Sequence, residues 1–271
     1  MKSLSVLGIP HYNRPDLTAR CIESIDYPVD KLVIIRNGPL DMFPMQHVAM
    51  ILTRTEVGSH YITRVGGIIK SLVLVEHPNA GVAGAWNEII KLFPAPWWLI
   101  SNNDIAFAPG DLAKMVDFVE RIKTCRASGP EPESWPDMIY GNHGASWFAI
   151  TAHGIVTAGL FDENIFPAYL EDCDMSRRFD LLGLHRCNVP DVHAVHGDAE
   201  RNITGSSTIH SDSALRECNA RTHGGNFDYY RAKWGGINER EKFTTPFNDP
   251  NWPVWAWRFD PARRAEQQWP A

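Results

Sequence analysis

Buried-strand runs and amphipathic helical runs take turns along the first hundred residues, and this alternation limits the fold more than any other feature. "LSVLGIP" (4–10) reads as a strand, and "RPDLTARCIESI" (14–25) as a helix with Pro15 in its first turn and Leu17, Cys21, Ile22 and Ile25 on one face. "KLVIIRNGP" (31–39) is a second strand, closed by Asn37-Gly38. "SLVLVEHPNAG" (71–81) is a third, followed by a helix through "VAGAWNEIIKLF" (82–93), and "WWLISNND" (97–104) is the fourth. Strand and helix alternating in units of about 30 residues predict parallel pairing with right-handed crossovers, hence an α/β fold with a mostly parallel, doubly wound sheet. In such sheets ligands gather beyond the carboxyl ends of the strands. Residues 101–104, Ser-Asn-Asn-Asp, are expected at that edge.

A chain of 271 residues with 44% hydrophobic content has enough apolar material for one large α/β domain. Its net charge of −6, with no long run of like charges, disfavours a DNA-wrapping surface or an anionic-membrane anchor. No window has the length and apolarity of a membrane span. The start, "MKSLSVLGIP", lacks the apolar core and cleavage site of a secretion signal, and five scattered cysteines without a C-x-x-C pair fit reduced thiols. The expectation is a soluble, cytoplasmic protein.

Further along, "TCRASGPEPESWPDM" (124–138) reads as a surface connection. "EDCDMSRRFDLLG" (171–183) predicts a helix with acids in its first turn and Gly183 at its stop, and "HRCNVPDVHAVHG" (185–197) a strand. The expected organisation is a domain over 1–236, with a ligand-binding half at 1–123 and a second half at 138–236. A Trp- and Pro-rich wrapping tail follows at 237–271.

Three clusters carry chemistry. Asp104 on a strand tip is a hard oxygen ligand suited to Mg²⁺ or Mn²⁺, ions held by one or two carboxylates plus substrate phosphates. Asn102 and Asn103 beside it suit a ribose or a metal-bound water, although Asn-Asn-Asp also fits a plain turn. Glu171, Asp172 and Asp174 crowd one helix start, where a single acid would satisfy the helix dipole, so one of them is available as a general base. His193 and His196, three apart on a presumed strand end, point to opposite sides, leaving at most one for a site. Tyr169, Trp147, His143 and the tail from Trp252 to Trp257 are candidates for an acceptor wall; aromatic clusters are more often core.

These residues, in their order, resemble a family 2 type glycosyltransferase with the GT-A fold, especially its bacterial rhamnosyltransferase-like branch. The similarity spans most of residues 4–236 through "GIPHYNRPDLTARCIESI", "VIIRNG", "NAGVAGAWNEII", "NND", "GLFDENIFPAYLEDCDMSRRFDLLG", "VHAVHG" and "NFDYYRAKWGG". The resemblance implies a nucleotide pocket lined by Pro10, Tyr12 and Asn13. Arg36 and Asn37 stand at the base-reading position, where family members commonly carry an acid before Asn-Gly. Asn79, Gly81 and Asn87 match the loop and helix around base, ribose and diphosphate. Asn102 and Asp104 match the outer positions of the D-x-D motif, with Asn103 between them, and Asp104 and His196 are the implied metal ligands. Asp172 matches the catalytic base, and Glu171 orients it or binds acceptor.

The resemblance thus implies a metal-dependent, inverting glycosyltransferase. It would use Mn²⁺ or Mg²⁺ and a nucleotide-diphosphate sugar of UDP or dTDP type, with a glycan or other hydroxyl acceptor. Two rivals differ in class. A nucleotidyltransferase should show a Gly-rich, basic loop after its first strand, and "PHYNRPDLT" has none. A sugar- or nucleotide-binding GT-A module without activity gains from Asn102 and from the Trp-rich tail.

Overall fold

The structure, a computed structural model, describes residues 2–38, 51–52, 60–63, 68–128, 135–237 and 239–266. In chain order the amino-terminal part contains β1 (Leu4–His11), α1 (Pro15–Glu23), β2 (Val29–Arg36), β3 (Ile51–Leu52), β4 (His60–Thr63), β5 (Ile69–Glu76), α2 (Gly81–Leu92), β6 (Trp97–Ser101), β7 (Ile105–Ala106) and α3 (Asp111–Ser128). There follow β8 (Pro136–Gly141), β9 (Gly144–Thr151), α4 (Ala152–Ala158), α5 (Glu171–Leu181), β10 (His185–Asn188), β11 (Val195–His196), α6 (Ser207–His210), α7 (Ser213–Trp234) and α8 (Pro261–Glu266).

Among the described residues the main sheet has nine strands in the order β10-β8-β9-β6-β1-β2-β5-β4-β3. Its centre, β6-β1-β2-β5, is all parallel, and across the sheet only β4 and β9 run against the rest. The predicted α/β class and mostly parallel sheet are therefore present.

Side-chain alternation along the strands splits the core into two layers. Leu7, Ile9, Leu32, Ile34 and Leu99 face Cys21 of α1 and Met115 and Val119 of α3. Val6, Val33, Ile35, Trp98 and Ile100 face Ala85 and Ile89 of α2 and Met175 and Phe179 of α5. The four central strands all deliver their carboxyl ends to one edge.

Two sequence expectations change. The connection predicted over 124–138 is shorter, because α3 runs to Ser128 and β8 begins at Pro136; residues 129–134 lie outside the described set. The breakers cluster in "GPEPESWP", and the residues before them carry none. The strand predicted over 185–197 is two: Pro190, and Asp191 at φ 57°, end β10, and β11 pairs antiparallel with β7 in a separate ribbon.

On the far side α5 and α7 are locked by buried charge. Lys233 Nζ lies 2.7 Å from both Asp162 Oδ2 and Asp174 Oδ1, and Asp174 also pairs with Arg178; all four side chains are fully buried. The described part of the segment after 237 lies along this side. Trp257 Nε1 donates to the Leu160 carbonyl (3.1 Å), Asn164 Nδ2 donates to the Arg258 carbonyl (2.8 Å), and Arg263 donates to the Asn164 carbonyl and to Asn226 Oδ1.

Candidate functional site

A cavity of about 410 Å³ opens at the carboxyl edge of the central strands. β1 contributes Pro10 and His11, with Tyr12 just after it; Asn37 follows β2, Asn79 and Gly81 follow β5, and Asn102, Asn103 and Asp104 follow β6. The remaining wall includes His143, Ser146, Tyr169, Glu171, Asp172, His196 and the Ser206–Ile209 turn.

Asp104 and His196 meet through the small ribbon, since His196 pairs with Ile105 and the Gly197 amide donates to the Asp104 carbonyl (2.9 Å). Arg20 of α1 donates to the carbonyls of both Asp104 and Gly197, tying the two turns together. Asp104 Oδ1 consequently stands 3.3 Å from His196 Nε2, while its Oδ2 accepts the Ser207 amide at 3.0 Å. Burial opposes charge on Asp104, but the His196 ring and the Ser207 amide outweigh it and hold the carboxyl below its ordinary value. His196 Nδ1 has Ser146 Oγ at 3.3 Å, and Nε2 has the Asp104 carboxylate before it.

That pair fits a small octahedral cation. Adjacent ligands at 2.0–2.1 Å from such an ion are roughly 3.0 Å apart, near the separation seen. Among the described residues no cluster of three or more His, Cys, Asp or Glu side chains forms a metal cage. A cation here needs oxygens from a ligand, as an ion bound through phosphates does.

The acids sit across α5. Tyr169 and Leu170 both have positive φ, 72° and 80°, and this turn starts the helix at Glu171. Asn226 of α7 holds the turn's approach, its Nδ2 donating to the carbonyls of Phe166 and Ala168 at 3.0 Å each. Burial, then the charge of Asp172, push the Glu171 carboxyl up to about 8. Glu171 therefore keeps its proton at neutral pH and adds no charge beside Asp172.

Further polar atoms face the cavity from the strand ends. Asn37 Nδ2 donates to the Gly81 carbonyl (3.0 Å) and Asn79 Oδ1 accepts the Gly81 amide (3.0 Å), leaving Asn37 Oδ1 and Asn79 Nδ2 buried without partners. Gly81, at φ 71°, admits no side chain: a Cβ would stand 2.7 Å from the Pro167 carbonyl oxygen.

Eleven of the predicted site residues line this cavity: Pro10, Tyr12, Asn37, Asn79, Gly81, Asn102, Asn103, Asp104, Glu171, Asp172 and His196. Three do not. Asn87 is fully buried with its amide spent on Phe161 and Glu163, Arg36 pairs with Glu76 at 2.6 Å, and Asn13 donates to the Thr208 carbonyl at 3.2 Å. Asn103 lines the wall, but its Nδ2 already serves Asn13 and Thr18. Of the aromatic wall, Tyr169 and His143 are present. Trp147 is wholly buried in the core, and residues 252–257 are absent from the lining. His193 is exposed, so His196 alone of the two histidines reaches the site.

His11, Ser146 and Ser206–Thr208 were not anticipated. His11 had one signal, a polar residue at the end of an apolar strand. It is buried, and burial, then the charge of Arg36, lower its pKa to about 4. The serine turn had none, because it reaches Asp104 from 103 residues away.

The fold and cavity define an α/β protein with a ligand cleft at its strand ends, acids on one wall and a carboxylate–imidazole pair on another. Comparison with known proteins bears on what kind. No family model matches the chain. A curated protein from Leishmania donovani, "Galactofuranosyl glycosyltransferase", is 24% identical over 246 residues, covering 68% of this chain. The chain spans about half, 54%, of that protein's length. Solved structures of S. aureus TarS are also similar. The 1-349 fragment has a TM-score of 0.45 at 12% identity, covering 67% of this chain and 56% of that one. Its complex with UDP-GlcNAc has a TM-score of 0.42 at 12% identity, covering 67% and 54%. The curated relative carries a glycosyltransferase name, the class that the motifs resemble, and that name does not point to the rhamnosyltransferase branch.

Proposed function

We propose that the chain moves a sugar from a nucleotide-diphosphate donor to an acceptor hydroxyl, with inversion. The observation that carries this reading is the 3.3 Å approach of Asp104 Oδ1 to His196 Nε2 in a cavity that also contains Asp172. Asp104 and His196 would hold Mn²⁺ or Mg²⁺, which supplies positive charge to the leaving diphosphate. Asn37 Oδ1 and Asn79 Nδ2 offer an acceptor and a donor to the nucleoside. Gly81 and Val82, at the start of α2, line the cavity beside them.

Asp172 takes the proton of the acceptor hydroxyl as that oxygen bonds to the anomeric carbon. The bond from this carbon to the diphosphate oxygen breaks, and its electron pair leaves with the nucleoside diphosphate. A single displacement inverts the centre and needs no covalent enzyme intermediate. Glu171, kept protonated by burial, adds no negative charge beside the base.

Two variants test the assignment. Asp172→Asn is expected to cut transfer by about 10² to 10⁴ while UDP binding stays unchanged. Asp104→Ala is expected to weaken UDP binding in Mn²⁺ and to leave metal-free binding nearly as it was. Calorimetry with and without Mn²⁺ reads both, and full transfer by Asp172→Asn would remove Asp172 from its role.

A further inference from the structure

Asp172 faces two cavities. Besides the donor-side cleft it lines a groove of about 670 Å³ along the outer side of α5, formed with Cys173, Ser176, Arg177, Asp180, Arg186, Tyr230, Glu239 and Glu241. Among the described residues no other side chain belongs to both. On the basis of the proposed transfer reaction, we infer that this groove receives the acceptor, and that the acceptor is a glycan segment free of phosphate and sulfate.

The position follows from the chemistry of the base. A residue that deprotonates the acceptor must touch both the acceptor hydroxyl and the space where the donor's sugar reacts. Asp172 meets both conditions, and the groove extends the acceptor side away from the nucleotide.

The class of acceptor follows from charge and partners. Four carboxylates, Asp172, Asp180, Glu239 and Glu241, face the groove against two guanidinium groups, Arg177 and Arg186. Arg186 is paired with Asp180 at 2.5 Å, and Arg177 donates to the Phe243 carbonyl at 2.8 Å. Four carboxylates against two guanidinium groups leave a negative surplus, so a phosphate or sulfate would be repelled. Carboxylates are acceptors only, matched by ligands rich in hydroxyl donors. Tyr230 spends its hydroxyl on Glu241 (2.9 Å), and Leu170, Tyr230 and Ile237 give the groove an apolar side on which a sugar face can rest.

The experiment is a printed array of neutral, phosphorylated and sulfated oligosaccharides, probed with the labelled full chain in UDP and Mn²⁺. UDP binding is followed in parallel by calorimetry. The expected result is binding to neutral glycans and not to the anionic ones. Ser176→Trp, which fills the groove from α5, should weaken glycan binding about tenfold or more with UDP binding intact. Glu239→Lys, at the exposed mouth, keeps the groove open and should move binding toward phosphorylated glycans. Preference of the unaltered chain for anionic glycans overturns the inference. So does undiminished neutral-glycan binding by a folded Ser176→Trp chain that still binds UDP. Failure of the unaltered chain to bind UDP defeats the donor reading itself, and this inference with it.

Discussion

His11 shows how a single buried side chain connects the site to stability. Its Nδ1 lies 2.7 Å from Thr18 Oγ1, and burial beside Arg36 brings its pKa from 6.5 down to about 4. The unfolded chain binds a proton near pH 6.5, whereas the folded chain does so only near pH 4, so between these values the unfolded state holds more protons. Stability therefore falls as pH drops through that window, by about 3 kcal/mol once fully developed, and is unaffected by this residue above it. His11→Gln should flatten the acid limb of a plot of melting temperature against pH between 6.5 and 4. An unchanged limb would show that His11 gains its proton in the folded state as readily as in the unfolded one. Glu171 acts in the other direction, because its carboxyl is raised from 4.5 to about 8 and its burial costs stability as pH rises between those values.

At the scale of elements, α5 carries the acids and α7 holds α5 in place. Lys233 bridges Asp162 and Asp174, Arg178 supplies the second positive charge, and Trp234 Nε1 donates to Asp174 Oδ1 at 2.8 Å. Lys233→Ala leaves two buried carboxylates short of a cation and is expected to cost about 3 to 5 kcal/mol, read from denaturant unfolding. A loss under about 1 kcal/mol would mean that Arg178 and Tyr229 already satisfy these acids. What could be read in the sequence follows the same division between local and distant contacts. β1, α1, β2, β5, α2 and β6 were legible because their apolar periodicity is written within each segment. Asp104 and the cluster Glu171, Asp172 and Asp174 stood out as acids at element ends, whereas the choice of His196 over His193 and of Asp172 among the acids came from the motif resemblance and not from the residue pattern. The β7–β11 ribbon was not, since two-residue strands carry no period, and its pairing joins residues some 90 positions apart. Asn87 misled for a related reason. Its place in a motif gave no sign that Phe161 and Glu163, more than 70 residues on, take its whole amide.

Over the whole molecule, the described carboxyl-terminal segment is tied to the turn that presents the acids. Arg263 donates to Asn226 Oδ1 (2.8 Å), and Asn226 in turn holds the Phe166 and Ala168 carbonyls just before Tyr169 and Leu170. Asn164 is fastened from the same side, to the Arg258 carbonyl and the Asp260 amide. The turn at 169–170 has two consecutive residues at positive φ, a conformation that costs of order 1–3 kcal/mol each and persists only where neighbours impose it. Removing residues 258–271 takes away Arg263 and the Arg258 and Asp260 backbone, while the central sheet keeps its contacts. The expected outcome is faster amide hydrogen exchange at 164–172 with the rates in β1, β2 and β6 unchanged. Transfer should fall further than UDP binding, because the acids and not the strand-end asparagines lose their support. Equal losses across the sheet and the turn would show instead that this segment stabilises the fold as a whole.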